Sequence, residues 1–198
     1  MNIKSRLIDV DDSVLIAIDI QDGFLDKYDK AISQQLVAKV AWLLKVADAL
    51  EVPVIAMGED LDEMGGLNSV VQADLPVGTI VHNKDAFGLA GNLQILDAVI
   101  KTGRKTAVLV GMETDVCVSQ SALGLINQGF EVVVLKDAIA TTEADEEIGL
   151  SRIHGAGVVF SSVKALYFEW LQSVSHFKRL KVLVPELEGA LKPNSLVL

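Results

Sequence analysis

The feature that most constrains this chain is a series of short apolar runs in which hydrophobicity is continuous instead of alternating: VLIAI before Asp19, VPVIAM at 52 to 57, TAVLV at 106 to 110 and EVVVL at 131 to 135. A strand with one face in water alternates apolar and polar residues, whereas a strand covered on both faces is apolar throughout. Between these runs lie stretches of helical length, such as AISQQLVAKVAWLLKVADAL from Ala31 to Leu50. TIVHN supplies a further strand, and helices are expected near 92 to 102 and from about 115 to 128, the second followed by Gly129 as its C-cap glycine. GVVFSS and VKALYFEWLQSV read as a closing strand and helix. Strands and helices in alternation, with the strands buried on both faces, predict a three-layer αβα fold on a doubly wound, mainly parallel sheet.

The 198 residues, 51% of them hydrophobic, suffice for one sizeable core, so a single domain over 1–198 is expected. Two segments break the pattern. Residues 58 to 78 mix acidic residues, glycines and a proline, which predicts a loop excursion. The tail, 185 to 198, ends apolar and docks either on its own domain or on a neighbouring subunit; the latter points to a homo-oligomer. A net charge of −10 opposes nucleic acid as a partner, because phosphate binding needs clustered Lys and Arg. A small-molecule substrate fits better. The apolar runs are of strand length, too short to span a bilayer, and the first of them resembles no signal peptide, so neither membrane nor secretion is expected. A single cysteine allows no intramolecular disulfide and suits a reducing cytoplasm.

In an open parallel sheet, ligands bind beyond the carboxyl ends of the strands. Three polar residues stand there. Asp19 closes the first apolar run, where partial burial raises a carboxyl towards a pKa useful for proton transfer; it equally suits a turn with Asp22 and Gly23. Lys84, in TIVHNKDAF, is on its own more often a surface residue than a catalytic one. Cys117 lies just inside a helix start, where backbone N–H groups favour a thiolate, although a free cysteine often serves as a small buried hydrophobe. Periodicity does not decide among these alternatives.

Taken together, IDIQDGF at 18 to 24, the lysine of HNKDAFG at 82 to 88 and GMETDVCV at 111 to 118 resemble the isochorismatase-like cysteine hydrolase superfamily in order and in approximate spacing. The resemblance implies that fold, and a catalytic triad of Asp19, Lys84 and Cys117. In the implied reaction Asp19 takes the thiol proton, Cys117 attacks a carbonyl to form a thioester, and water releases the product. It also implies a cis peptide between Met112 and Glu113, with the N–H groups of Glu113 and Cys117 as the oxyanion hole. Gln21, Phe24 and Phe87, next to these motifs, are expected at the substrate pocket. Nicotinamidases of this superfamily carry an Asp-x-His pair and a further His after the second strand to hold a metal. This chain has MGEDLDEMGG there, Asp60 and Asp62 suit a solvated loop, and His82, His154 and His176 lack ligand spacing, so neither metal nor other cofactor is expected. The expected activity is hydrolysis of a small amide, carbamoyl or related acyl compound. The alternatives are a catalytically weak oligomeric binding or scaffold protein, and a vinyl ether hydrolase that dispenses with the cysteine.

Overall fold

In the computed structural model, the described residues are 7–142, 146–187, 192–194, 196 and 198. The elements run in chain order β1 (Ser13–Ile18), α1 (Asp22–Leu25), α2 (Lys30–Ala49), β2 (Val54–Glu59), α3 (Leu61–Met64), α4 (Ser69–Ala73) and β3 (Val81–Lys84). They continue with α5 (Leu93–Lys101), β4 (Thr106–Met112), α6 (Ser119–Asn127), β5 (Glu131–Ala140), α7 (Glu146–Gly155), β6 (Val159–Ser161), α8 (Val163–Leu171) and α9 (Val174–Leu183). The six strands form one sheet in the order β3-β2-β1-β4-β5-β6, and every pairing is parallel.

Side chains of successive strand residues point to opposite faces, and in β1 both faces are covered. Leu15 and Ala17 join a cluster with Leu36, Val40, Leu43 and Leu44 of α2 and Leu166 and Trp170 of α8. Val14, Ile16 and Ile18 join the opposite cluster with Ile95 of α5, Ala122 and Leu125 of α6 and Ile153 of α7. All six residues of β1 are buried, which is why its sequence shows no alternation. The longest helix, α2, starts where the Asp29 side chain accepts a hydrogen bond from the Ala31 N–H at 2.8 Å. Its buried positions include 36, 40, 43, 44 and 47, a stripe of helical period, widened by 37, 41, 42 and 46.

Residues 58 to 78 and strand β5 differ from the sequence reading. Residues 58 to 78 hold the short helices α3 and α4, the second capped by Asn68, whose Oδ1 accepts from the Val70 N–H at 3.1 Å. Helices of four and five residues are too short to display a period. Strand β5 runs to Ala140, past Leu135, and accommodates the extra length by a register shift between Leu109 and Gly111 of its neighbour. Of the tail, the described Leu187 and Leu196 enter the α2 and α8 cluster of their own domain, one of the two placements expected, and Trp42 Nε1 donates to the Leu187 carbonyl at 2.5 Å. No helix among the described residues is long and apolar enough to cross a membrane.

Candidate active site

The strand order reverses between β1 and β4, so the crevice beyond their carboxyl ends is the place where this topology opens a pocket. Asp19 follows β1 and adopts φ 50°, a left-handed conformation that Asp tolerates better than most residues. Its N–H still donates to the Met57 carbonyl at 3.0 Å, while its own carbonyl accepts from the Gln21 N–H at 2.9 Å, so the strand stops there and turns. Gly111, beside it on β4, has φ 121°, and a Cβ there would lie 1.9 Å from the Ile18 carbonyl oxygen. Only glycine lets the two strands approach this closely before the site. The Met112–Glu113 peptide bond is cis, and a π-helical turn, Thr114–Val118, carries Cys117 into α6.

Lys84 ends β3, and its ammonium is the hub of the cluster. Nζ lies 3.0 Å from Asp19 Oδ2, 3.3 Å from Glu59 Oε2 and 3.5 Å from Cys117 Sγ, and donates to the Ala86 carbonyl at 3.4 Å. The Lys84 and Asp19 side chains are fully buried, and Cys117 is 4% exposed. The structure therefore brings together all three residues that the sequence motifs single out. The Lys84 ammonium, 3.0 Å from Oδ2, is the cation that holds this carboxylate.

Burial raises the Asp19 pKa from 3.8 to about 6, against the pull of Lys84. Burial, then the charge of Asp19, pushes the Cys117 thiol up in spite of Lys84. The helix-start argument points the other way, towards a lowered thiol; in the folded chain desolvation outweighs it. Burial also pulls the Lys84 pKa down, but Asp19 and the other acidic groups around it overcome this and leave it above its ordinary value. The resting cluster is thus a carboxylate, an ammonium and a neutral thiol.

Glu59, the last residue of β2, completes the group and was not singled out from sequence. The parallel register sets it directly beside Lys84, and its Oε2 accepts from the Cys117 thiol at 3.5 Å. Reading the second strand as ending at Met57 leaves Glu59 in a loop; two more residues of strand, one pleat, put it on the site. Asn92 was also missed. Its side chain accepts from the N–H groups of Asp85 and Ala86 and donates to the carbonyls of Ala86 and Gly88, all at 3.0 to 3.1 Å, and so fixes the loop over Lys84.

Other expected residues lie as follows. Phe87 is 53% exposed, with the Lys84 ammonium 5.9 Å from its ring centroid. Phe24 is buried in the α2 cluster. Gln21 spends its side chain on main-chain groups: Nε2 donates to the carbonyls of Glu59 at 2.9 Å and Gly65 at 2.7 Å, and Oε1 accepts from the Glu59 N–H at 2.8 Å. The Glu113 side chain turns towards Lys27, 3.9 Å away, and accepts from Thr142 Oγ1 at 3.3 Å. Asp60, Asp62 and His154 are exposed, and His154 stacks on Phe160. Asp19, Glu59 and Cys117 offer ligand atoms within 4.8 Å of one another, a donor set suited to a metal ion. The Lys84 ammonium touches all three and fills the position a cation would take.

Fold and site together define a doubly wound α/β protein with a buried carboxylate, lysine and thiol at the switch point of its sheet. The isochorismatase domain model matches residues 13–165, and the chain belongs to that family. It is 30% identical over 178 residues to isochorismatase domain-containing protein 2 of Rattus norvegicus, an alignment covering 88% of this chain and 81% of the relative. Solved structures of the same fold include the MAR1 ribonuclease of Caenorhabditis elegans, with TM-score 0.81, 22% identity and coverage of 97% of each chain. The YCAC gene product of Escherichia coli, described as an octameric hydrolase of unknown specificity, also has TM-score 0.81 at 22% identity, covering 94% of this chain and 95% of that one. N-carbamoylsarcosine amidase from Thermoplasma acidophilum has TM-score 0.62 at 17% identity, covering 77% of this chain and 96% of that one.

Proposed function

We propose that this protein is a cysteine hydrolase of a small amide, carbamoyl or related acyl compound. The observation that carries the reading is the Lys84 ammonium within 3.5 Å of both an Asp19 oxygen and the Cys117 sulfur, with all three side chains buried. The chemistry runs through Asp19. Its carboxylate accepts the thiol proton as the thiolate adds to the substrate carbonyl; the C–N bond breaks, and Asp19 returns the proton to the departing amine. The carboxylate, regenerated, then activates water against the thioester. Lys84 stays charged throughout and balances whichever of Asp19 and Cys117 carries the negative charge. The N–H groups of Glu113 and Cys117 receive the developing oxyanion.

The structural neighbour that is an N-carbamoylsarcosine amidase supports a carbamoyl or amide substrate, and the hydrolases of the family support the reaction type. A phosphodiester fits less well, because the chain carries a net charge of −10 and two carboxylates flank the nucleophile. We read the protein as a cytoplasmic homo-oligomer, and the octameric neighbour supports the assembly.

The test is ammonia release from a panel of small neutral amides and carbamoyl compounds, with Cys117→Ala and Asp19→Asn alongside the parent. Loss of release in both variants is expected. Ammonia release retained in Cys117→Ala would show that the thiol is not the nucleophile and would overturn the reading.

A further inference from the structure

We propose that Glu59 is the specificity-determining residue of this site: it selects a neutral or cationic small substrate that presents N–H groups beside the scissile carbonyl, and it disfavours analogues with a carboxylate there. This rests on the hydrolase reading above and narrows its substrate class.

Four observations carry it. The main chain of Glu59 is held at both ends by Gln21, whose amide accepts from the Glu59 N–H at 2.8 Å and donates to its carbonyl at 2.9 Å, so the side chain projects from a fixed base. From there Oε2 reaches both Lys84 Nζ at 3.3 Å and Cys117 Sγ at 3.5 Å. The Glu59 side chain is 23% exposed while those of Lys84 and Asp19 are fully buried, so Glu59 is the carboxylate of this cluster that meets solvent. Its second oxygen, Oε1, takes no hydrogen bond from any described residue, which leaves an acceptor next to the nucleophile.

Charge points the same way. Two carboxylates against one ammonium leave one net negative charge beside a neutral thiol, and passing the thiol proton to Asp19 leaves that sum unchanged. A substrate carboxylate at this position meets repulsion both before and during the reaction, whereas the NH2 group of a carbamoyl or amide, or a cationic nitrogen, donates to Glu59.

The test reads the potential at Cys117 without needing the natural substrate. The parent, Glu59→Gln and Glu59→Asp proteins are labelled with three methanethiosulfonates of similar size: methyl (neutral), 2-aminoethyl (cationic) and 2-sulfonatoethyl (anionic). Each charged rate is divided by the neutral rate, which cancels changes in thiol reactivity, and about 0.5 M salt screens the charge of the molecule as a whole. In the parent the cationic reagent should outpace the anionic one by about tenfold to a hundredfold. Glu59→Gln should lower that ratio by on the order of tenfold, and Glu59→Asp should retain it. A ratio near one in the parent, or one that Glu59→Gln leaves unchanged while the neutral reagent still labels, overturns the role of Glu59 alone. Failure of the neutral reagent to label the parent overturns the hydrolase reading and this inference with it.

Discussion

At the residue scale, the site is a problem of buried charge. Asp19 is fully buried, and the desolvation that raises its pKa to about 6 is offset by one cation, Lys84 at 3.0 Å. Replacing Lys84 by Met should therefore cost about 3–5 kcal/mol near neutral pH, because it strands an uncompensated carboxylate. The sign of the pH dependence follows from linkage. Without Lys84 the Asp19 pKa rises further in the folded chain and not in the unfolded one, so the folded state binds the extra proton. The deficit should thus be largest near pH 8 and shrink towards pH 5, as the carboxyl becomes neutral. Urea unfolding of parent and Lys84→Met across that range measures it, and a deficit independent of pH would show that Lys84 acts through packing instead.

At the element scale, the site depends on how closely β1 and β4 can approach. A Cβ at position 111 would lie 1.9 Å from the Ile18 carbonyl oxygen, and φ is 121° there. Gly111→Ala should therefore destabilise the fold by several kcal/mol, read by the urea midpoint. A loss under about 1 kcal/mol would mean that the strands part easily. The elements that were legible in the sequence are those whose cause is local. Strand β1 is apolar because both its faces are covered, and α2 has an Asp cap and a helical stripe; each shows its burial directly in its residues. Asp19, Lys84 and Cys117 were legible through the order and spacing of their three motifs taken together, since position after an apolar run left each of them open. Glu59 was not, since its role comes from register with Lys84 across two strands, and GED at a strand end looks like the beginning of a loop. The upward push on the thiol was equally hidden: it comes from burial by distant segments, whereas the helix start that suggests the opposite is local.

At the scale of the whole molecule, the proposed homo-oligomer should appear in sedimentation as a mass that is a multiple of 21.3 kDa. A species at 21.3 kDa alone would overturn that part of the proposal. The chain's single thiol gives the most direct test of the central claim, with peptide mapping to assign the added group to Cys117. The measurement is the rate of iodoacetamide labelling against pH for the parent and Asp19→Asn. If Asp19 is the proton acceptor, the parent rate rises through about 6, where Asp19 ionises, and then levels off, because thiolate formation becomes an internal proton transfer. Asp19→Asn should label at least about a hundredfold more slowly at neutral pH and recover only in alkali. A parent rate that climbs steadily into alkali, with Asp19→Asn superimposed on it, would contradict the account and leave Cys117 a buried side chain beside an ion pair.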